Sequence, residues 1–190
     1  METDREDLRV KKTKRLLVRS LLYLLDTKLF SHITVNDLCA KAMVSRSAFY
    51  QHFDDKYALL RYSMNIFNDI LLQRLKGKPL YKYIRCVLDY VESNRHIIKN
   101  IIHSDFNNEI MDILLQPHLN NLNNIMLNQF EDTYVFSVPI ELVSFYHSYG
   151  IINTIIMWVE KNIPYSVDEM TDYMITLLPL QLRDKEVPFA

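Results

Sequence analysis

Apolar side chains recur every three or four residues along most of this chain, the period of an amphipathic α-helix. Leu17, Leu21, Leu24 and Leu25 form one stripe and predict a helix from about Arg9 to Lys28, behind a polar, frayed stretch at 1–8. After Thr34, the residues Val35, Leu38 and Cys39 fall at i, i+3, i+4, with Asp37 at the capping-box position. Ala42-Met43-Val44 interrupts that short helix. Ser45 is a second N-cap and opens a helix from Arg46 to His52, with Phe49 and Phe53 on one face. A longer stripe (Leu59, Leu60, Met64, Phe67, Leu71, Leu75) predicts a helix from Asp54-Asp55 to about Lys76, stopped by Gly77 and Pro79. Further helices are expected over Leu80–Glu92, Arg95–His103, Asn108–Phe130 with a kink at Pro117, Pro139–Lys161, and Val167–Pro179. The fold class is all-α: an N-terminal three-helix domain over 1–56 containing a helix-turn-helix, then a helical bundle over 57–190. No Ser/Gly-rich linker separates them.

Composition sharpens this picture at three points. Two glycines and six prolines in 190 residues leave little material for β-turns. Cys39 and Cys86 both sit in apolar helical patterns and read as reduced, buried thiols. With no signal peptide and no run of about 18 apolar residues, the chain is expected to be soluble and cytoplasmic, with no membrane partner. The net charge of −1 conceals an asymmetry. From Arg9 to Lys56 there are ten Lys/Arg against four acids, and from Tyr57 onward 11 against 15. A basic segment confined to one end, joined to a helix-turn-helix, is the footprint of phosphate binding.

The residues of that segment carry a resemblance. Thr34-Val35, Ala42-Met43-Val44-Ser45, Phe49-Tyr50-Gln51-His52-Phe53, Lys56 and Leu59 resemble the DNA-binding core of the TetR family of bacterial transcriptional regulators. Met43 stands where that family most often has Gly, which matters if the backbone there needs φ > 0. The resemblance and the helix positions together nominate Lys12, Thr34, Val35, Ser45, Arg46, Ser47, Tyr50, His52 and Lys56 for DNA contact. Arg46 is the base reader, because a guanidinium binds guanine bidentately. Tyr50 and His52 suit phosphates, and Lys56 resembles the family's phosphate-contacting lysine. Further on, Tyr149-Gly150, Trp158, Pro164, Ser166 and Glu169-Met170 resemble the C-terminal domain of a TetR subgroup common in Firmicutes.

Membership of that family implies an effector pocket in the helical body. Polar and aromatic candidates for it are Tyr90, His96, His103, Phe106, Met126, Tyr146, Tyr149 and Asn153. His96 and His103 are two turns apart and could meet His118 or His147 around a metal, but no tight Cys/His spacing supports one, and no metal or cofactor is assigned. The Pro139–Lys161 helix is apolar nearly all round and must be buried on every side, which in a chain of this size points to a second subunit. Phe145, Ile152, Ile156, Met170, Met174 and Leu177 are the dimerisation candidates, and Gly150 is expected to permit close helix approach. No Gly-rich phosphate loop, G-x-S-x-G or HExxH motif is present, so an enzyme is not expected. The expected function is a homodimeric repressor that binds a palindromic double-stranded operator and is released by an unknown small-molecule effector. The alternative is an activator or interaction module controlled by a protein co-regulator.

Overall fold

A computed structural model describes residues 2–104, 108–129, 134–135 and 138–178. The helices are α1 (Glu2–Leu25), α2 (Val35–Ala42), α3 (Arg46–Tyr50), α4 (Lys56–Leu75), α5 (Leu80–Ser93), α6 (Arg95–Ile102), α7 (Asn108–Gln129), α8 (Ile140–Glu160) and α9 (Val167–Leu177). A short 3-10 turn, Phe30–His32, precedes α2. Before α8, Tyr134–Val135 and Val138–Pro139 pair as a minimal antiparallel ladder, which the helical period did not foretell.

The chain forms two compact units: Met1–Met64 with His96–Met111, and Asn65–Arg95 with Asp112–Ala190. We call them the head and the body. Each boundary at Met64 and Met111 falls inside a continuous helix, α4 and α7 respectively.

In the head, α1 packs along α2, and Leu17, Leu21, Leu25, Phe30, Leu38, Phe49, Leu59 and Leu60 are fully buried. The stretch expected to be frayed is instead helical over residues 2–8, since α1 starts at Glu2. The cations from Lys11 to Arg19 therefore lie beyond the first turn, where the dipole no longer opposes them. α6 joins the head through a polar row at i, i+4, i+8. His96 Nε2 lies 2.6 Å from Asp26 Oδ1, Asn100 Nδ2 donates to the Leu25 carbonyl at 2.8 Å, and Ser104 Oγ accepts from the Ser31 amide at 2.9 Å.

In the body, α5 packs against α9, with an Arg85–Asp168 ion pair between them. Trp158 is fully buried and donates from Nε1 to the Tyr165 carbonyl at 3.1 Å. The Arg95 guanidinium donates to the Trp158 carbonyl at 3.0 Å and lies over the indole. Ser166 and Glu169 cap α9 reciprocally. α7 continues through Pro117, so the Ile113 carbonyl lacks its usual i+4 amide. By length and composition α8 could cross a membrane, contrary to the expectation that the chain holds no such run; only 33% of its apolar window is buried within the chain.

Candidate nucleic-acid interface

The helix-turn-helix is built from two caps and one strained turn. Thr34 Oγ1 accepts from the Asp37 amide at 3.1 Å, and Asp37 Oδ2 accepts from the Thr34 amide at 2.9 Å. These bonds hold the Asp37 carboxyl below its ordinary range. α2 ends at Met43, which adopts the left-handed conformation (φ 53, ψ 44). This is the backbone the family's usual Gly would suit, and Met takes it with its side chain 91% exposed. Ser45 then caps α3, its Oγ accepting from the Ala48 amide at 3.1 Å. α3 stops at Tyr50, two residues short of the expected end, although Phe53 N still donates to the Phe49 carbonyl at 3.0 Å.

Phe49 and Phe53 are buried, and their rings pack 5.8 Å apart between centroids. Anchored by them, α3 presents Arg46, Ser47 and Tyr50 to solvent. The Arg46 guanidinium lies 5.8 Å from the Tyr50 ring centroid, so the base-reading candidate has an aromatic rest but no acidic partner among the described residues. Lys12 is exposed on α1, Thr34 and Ser45 are exposed at their caps, and Val35 and His52 are half-buried.

Lys56 has a structural task within the head. Its ammonium donates to the carbonyls of Phe30, Ser31 and Ile33 at 2.8, 3.0 and 3.0 Å, and lies 4.7 Å from the Phe30 ring centroid. An ammonium has three N–H donors, and three carbonyls of the loop into α2 receive them. The side chain clamps that loop, where a phosphate contact was expected.

An exposed cationic and polar α3, rigidly capped on a buried aromatic pair, is a surface made to enter a groove of DNA. Comparison with known proteins agrees. Residues 25–62 match "Bacterial regulatory proteins, tetR family", and residues 78–179 match "Transcriptional regulator C-terminal region". The chain belongs to the TetR family of bacterial transcriptional regulators. These are regulators and not enzymes. No curated protein matches the sequence.

Solved structures share the TetR fold over nearly the whole chain. A TetR regulator from Streptococcus agalactiae 2603V is 20% identical, with a TM-score of 0.68 over 93% of this chain and 98% of that one. The dihydroxyacetone kinase operon activator DhaS is 16% identical, with a TM-score of 0.65 over 94% and 98%. NalD, the secondary repressor of the MexAB-OprM efflux pump in Pseudomonas aeruginosa, is 18% identical, with a TM-score of 0.59 over 88% and 94%.

In this TetR body the effector candidates do not converge on one pocket. His96 and His103 belong to the head, exposed on and just beyond α6, because the buried Ile101 and Ile102 turn that helix's other face inward. Phe106 lies outside the described residues. Tyr90 is half-buried against Phe67, ring centroids 4.1 Å apart, and burial raises its phenol's pKa. Met126 is fully buried and its sulfur accepts from Ser144 Oγ at 3.3 Å. Tyr146, Tyr149 and Asn153 line an open groove of about 930 Å³ on α8 and α9, with Leu142, Phe145, Gly150 and Leu177. Among the described residues no cluster of His, Cys, Asp and Glu could hold a metal.

The same groove carries the dimerisation candidates Phe145, 50% exposed, and Leu177, 59% exposed. Ile152 and Ile156 are half-buried. Met170 and Met174 are buried in the chain, since α9 turns that edge inward, with Met174 at the floor of the same groove. A Cβ on Gly150 would meet nothing within 4 Å, so no helix among the described residues approaches it closely.

One polar cluster in the body was not foreseen, its His118 having been offered only as a partner for His96 or His103 around a metal. Asn121 Nδ2 donates to Asn68 Oδ1 at 2.7 Å and to Tyr83 Oη at 3.0 Å. His118, one turn earlier on α7, buries its Nε2 with no partner among the described residues. Burial pushes its imidazole down to about 4, so it is neutral at pH 7. A faint signal existed: His118 and Asn121 interrupt an otherwise apolar helical period.

Proposed function

We propose that the chain is a cytoplasmic homodimeric repressor that binds a palindromic operator and is released by a small effector. Residues 1–56 read DNA and 57–190 regulate and dimerise. The observation that carries the dimer is the α8–α9 face. Leu142, Phe145, Tyr146 and Leu177 are each at least 50% exposed and line one groove. A second copy, related by a two-fold axis, covers this surface on both chains and sets two heads for successive half-sites. On α3, Arg46 reads base edges while Ser47 and Tyr50 position the helix on the backbone. The likeness to an operon activator, DhaS, supports a second reading, in which the same dimer activates transcription.

The test is a titration against the promoter region beside the chain's own gene, at several salt concentrations. Tight, sequence-preferring binding with a steep salt slope is expected. Arg46→Ala should reduce discrimination between operator and random DNA by roughly 10- to 100-fold, whereas Lys12→Ala weakens both alike. Equal losses on both DNAs for Arg46→Ala would remove its role as reader. Deleting the gene should raise transcription from that promoter; a fall would favour the activator reading.

A further inference from the structure

The body's core holds polar groups that apolar packing does not require. His118 and Asn121 on α7 and Tyr83 on α5 line a small cavity otherwise walled by apolar side chains such as Leu80, Ile125 and Ile151. Asn121 and Tyr83 are bonded to each other, while His118 Nε2 is buried without a partner among the described residues. Among the described residues no charged side chain lines the space. Its volume is about 10 Å³, room for a single water, so anything larger enters only by displacing Leu and Ile side chains. Such a displacement is easiest beside Pro117, which directly precedes His118 and leaves α7 one backbone hydrogen bond short.

We propose that this cavity is the seed of the effector site, and that it takes a small, neutral, mostly apolar molecule whose hydroxyl bonds His118 Nε2. A hydroxyl both donates and accepts, so it suits either tautomer of a neutral imidazole. A permanently charged ligand would be buried with no countercharge. The wide groove on α8 and α9 is a poorer choice, because a second copy covers it in the proposed dimer. α7 gives its first turn to the head and the rest to the body, so a bend at Pro117 acts on a helix common to both units. The inference rests on the regulator reading above.

Phenol and benzene are suitable probes, the same ring with and without a hydroxyl. Calorimetric titration of the full chain should show phenol binding about tenfold more tightly than benzene. Phenol should also shift the imidazole nitrogen resonances of His118. His118→Gln, which keeps a hydrogen-bonding group, should retain the preference, and His118→Leu, which fills the site with carbon, should abolish it. Equal affinity for the two probes, no binding of either, or a preference that survives His118→Leu would overturn the site. Operator affinity is measured on the same preparations. A fall at saturating phenol is expected, and no change would overturn the effector role. Absent operator binding with an intact phenol preference would sink the regulator reading and leave the site standing.

Discussion

The helix-turn-helix and the α8–α9 face are both exposed, yet they handle exposure in opposite ways. In the first, the hydroxyls of Thr34 and Ser45 accept from backbone amides and Lys56 donates to loop carbonyls, so the polar scaffold is satisfied within the head. What remains outward, Arg46 above all, is charge and hydrogen-bonding capacity suited to a polar partner. The second face leaves Leu142, Phe145, Tyr146 and Leu177 in water. It has little polar capacity to offer and gains only by burial. A surface that is internally finished but polar fits DNA, and one that is unfinished and apolar suits the second copy proposed above.

The sharpest way to break this contrast is Phe145→Asp. Because Phe145 is half exposed in the single chain, the substitution should leave its thermal stability nearly unchanged. Dimerisation should weaken by about 100-fold or more, roughly 3 kcal/mol, and operator binding should weaken with it. Sedimentation velocity reads the first effect; an intact dimer would remove the α8–α9 face as the interface.

The body's buried histidine is tested next, by acid. Its folded pKa, about 4, lies below the unfolded value of 6.5, so the unfolded chain takes up the proton first as pH falls. Stability should therefore decline from about pH 6.5 down to about pH 4, by about 3 kcal/mol in all. His118→Leu should flatten that part of the profile in denaturant titrations. A wild-type profile level over this range would show that His118 is not buried in its neutral form.

Lys56→Met tests the claim that the head is internally satisfied. Three loop carbonyls would lose a charged donor, and the head should lose about 2 kcal/mol by thermal melting. A normal melting temperature with weakened DNA binding would restore Lys56 to the phosphate role. The smallest effect is Met43→Gly, which relieves the left-handed residue and should stabilise the head by about 1 kcal/mol.

Much of this was legible beforehand because it depends on neighbours in sequence. The caps at Thr34 and Ser45, the break at Met43 and the apolar stripes of α4 and α5 are consequences of residues within about four positions of one another. The strain at Met43 was readable as a condition, and φ 53 meets it. What was not readable involved distant partners. Lys56 meets Phe30 across 26 residues, and Asn100 meets Leu25 across 75. Nothing in the local pattern of either partner announces the other. Met170 and Met174 share a helix edge with apolar residues whichever way that edge turns, so periodicity could not say whether they face the core or a second subunit.

By itself, then, the sequence determined most of the helices, the caps at Thr34 and Ser45, the all-helical class and the family, because hydrophobic period and capping chemistry are local and its motifs are contiguous. Only the tertiary structure decided that α6 packs with the head, that Lys56 holds the loop into α2, that the outward half of α8 lacks cover among the described residues, and that His118 is buried without a partner among them. Each of these is a question of which distant groups meet and which are shut away from water, and a one-dimensional pattern does not encode that answer.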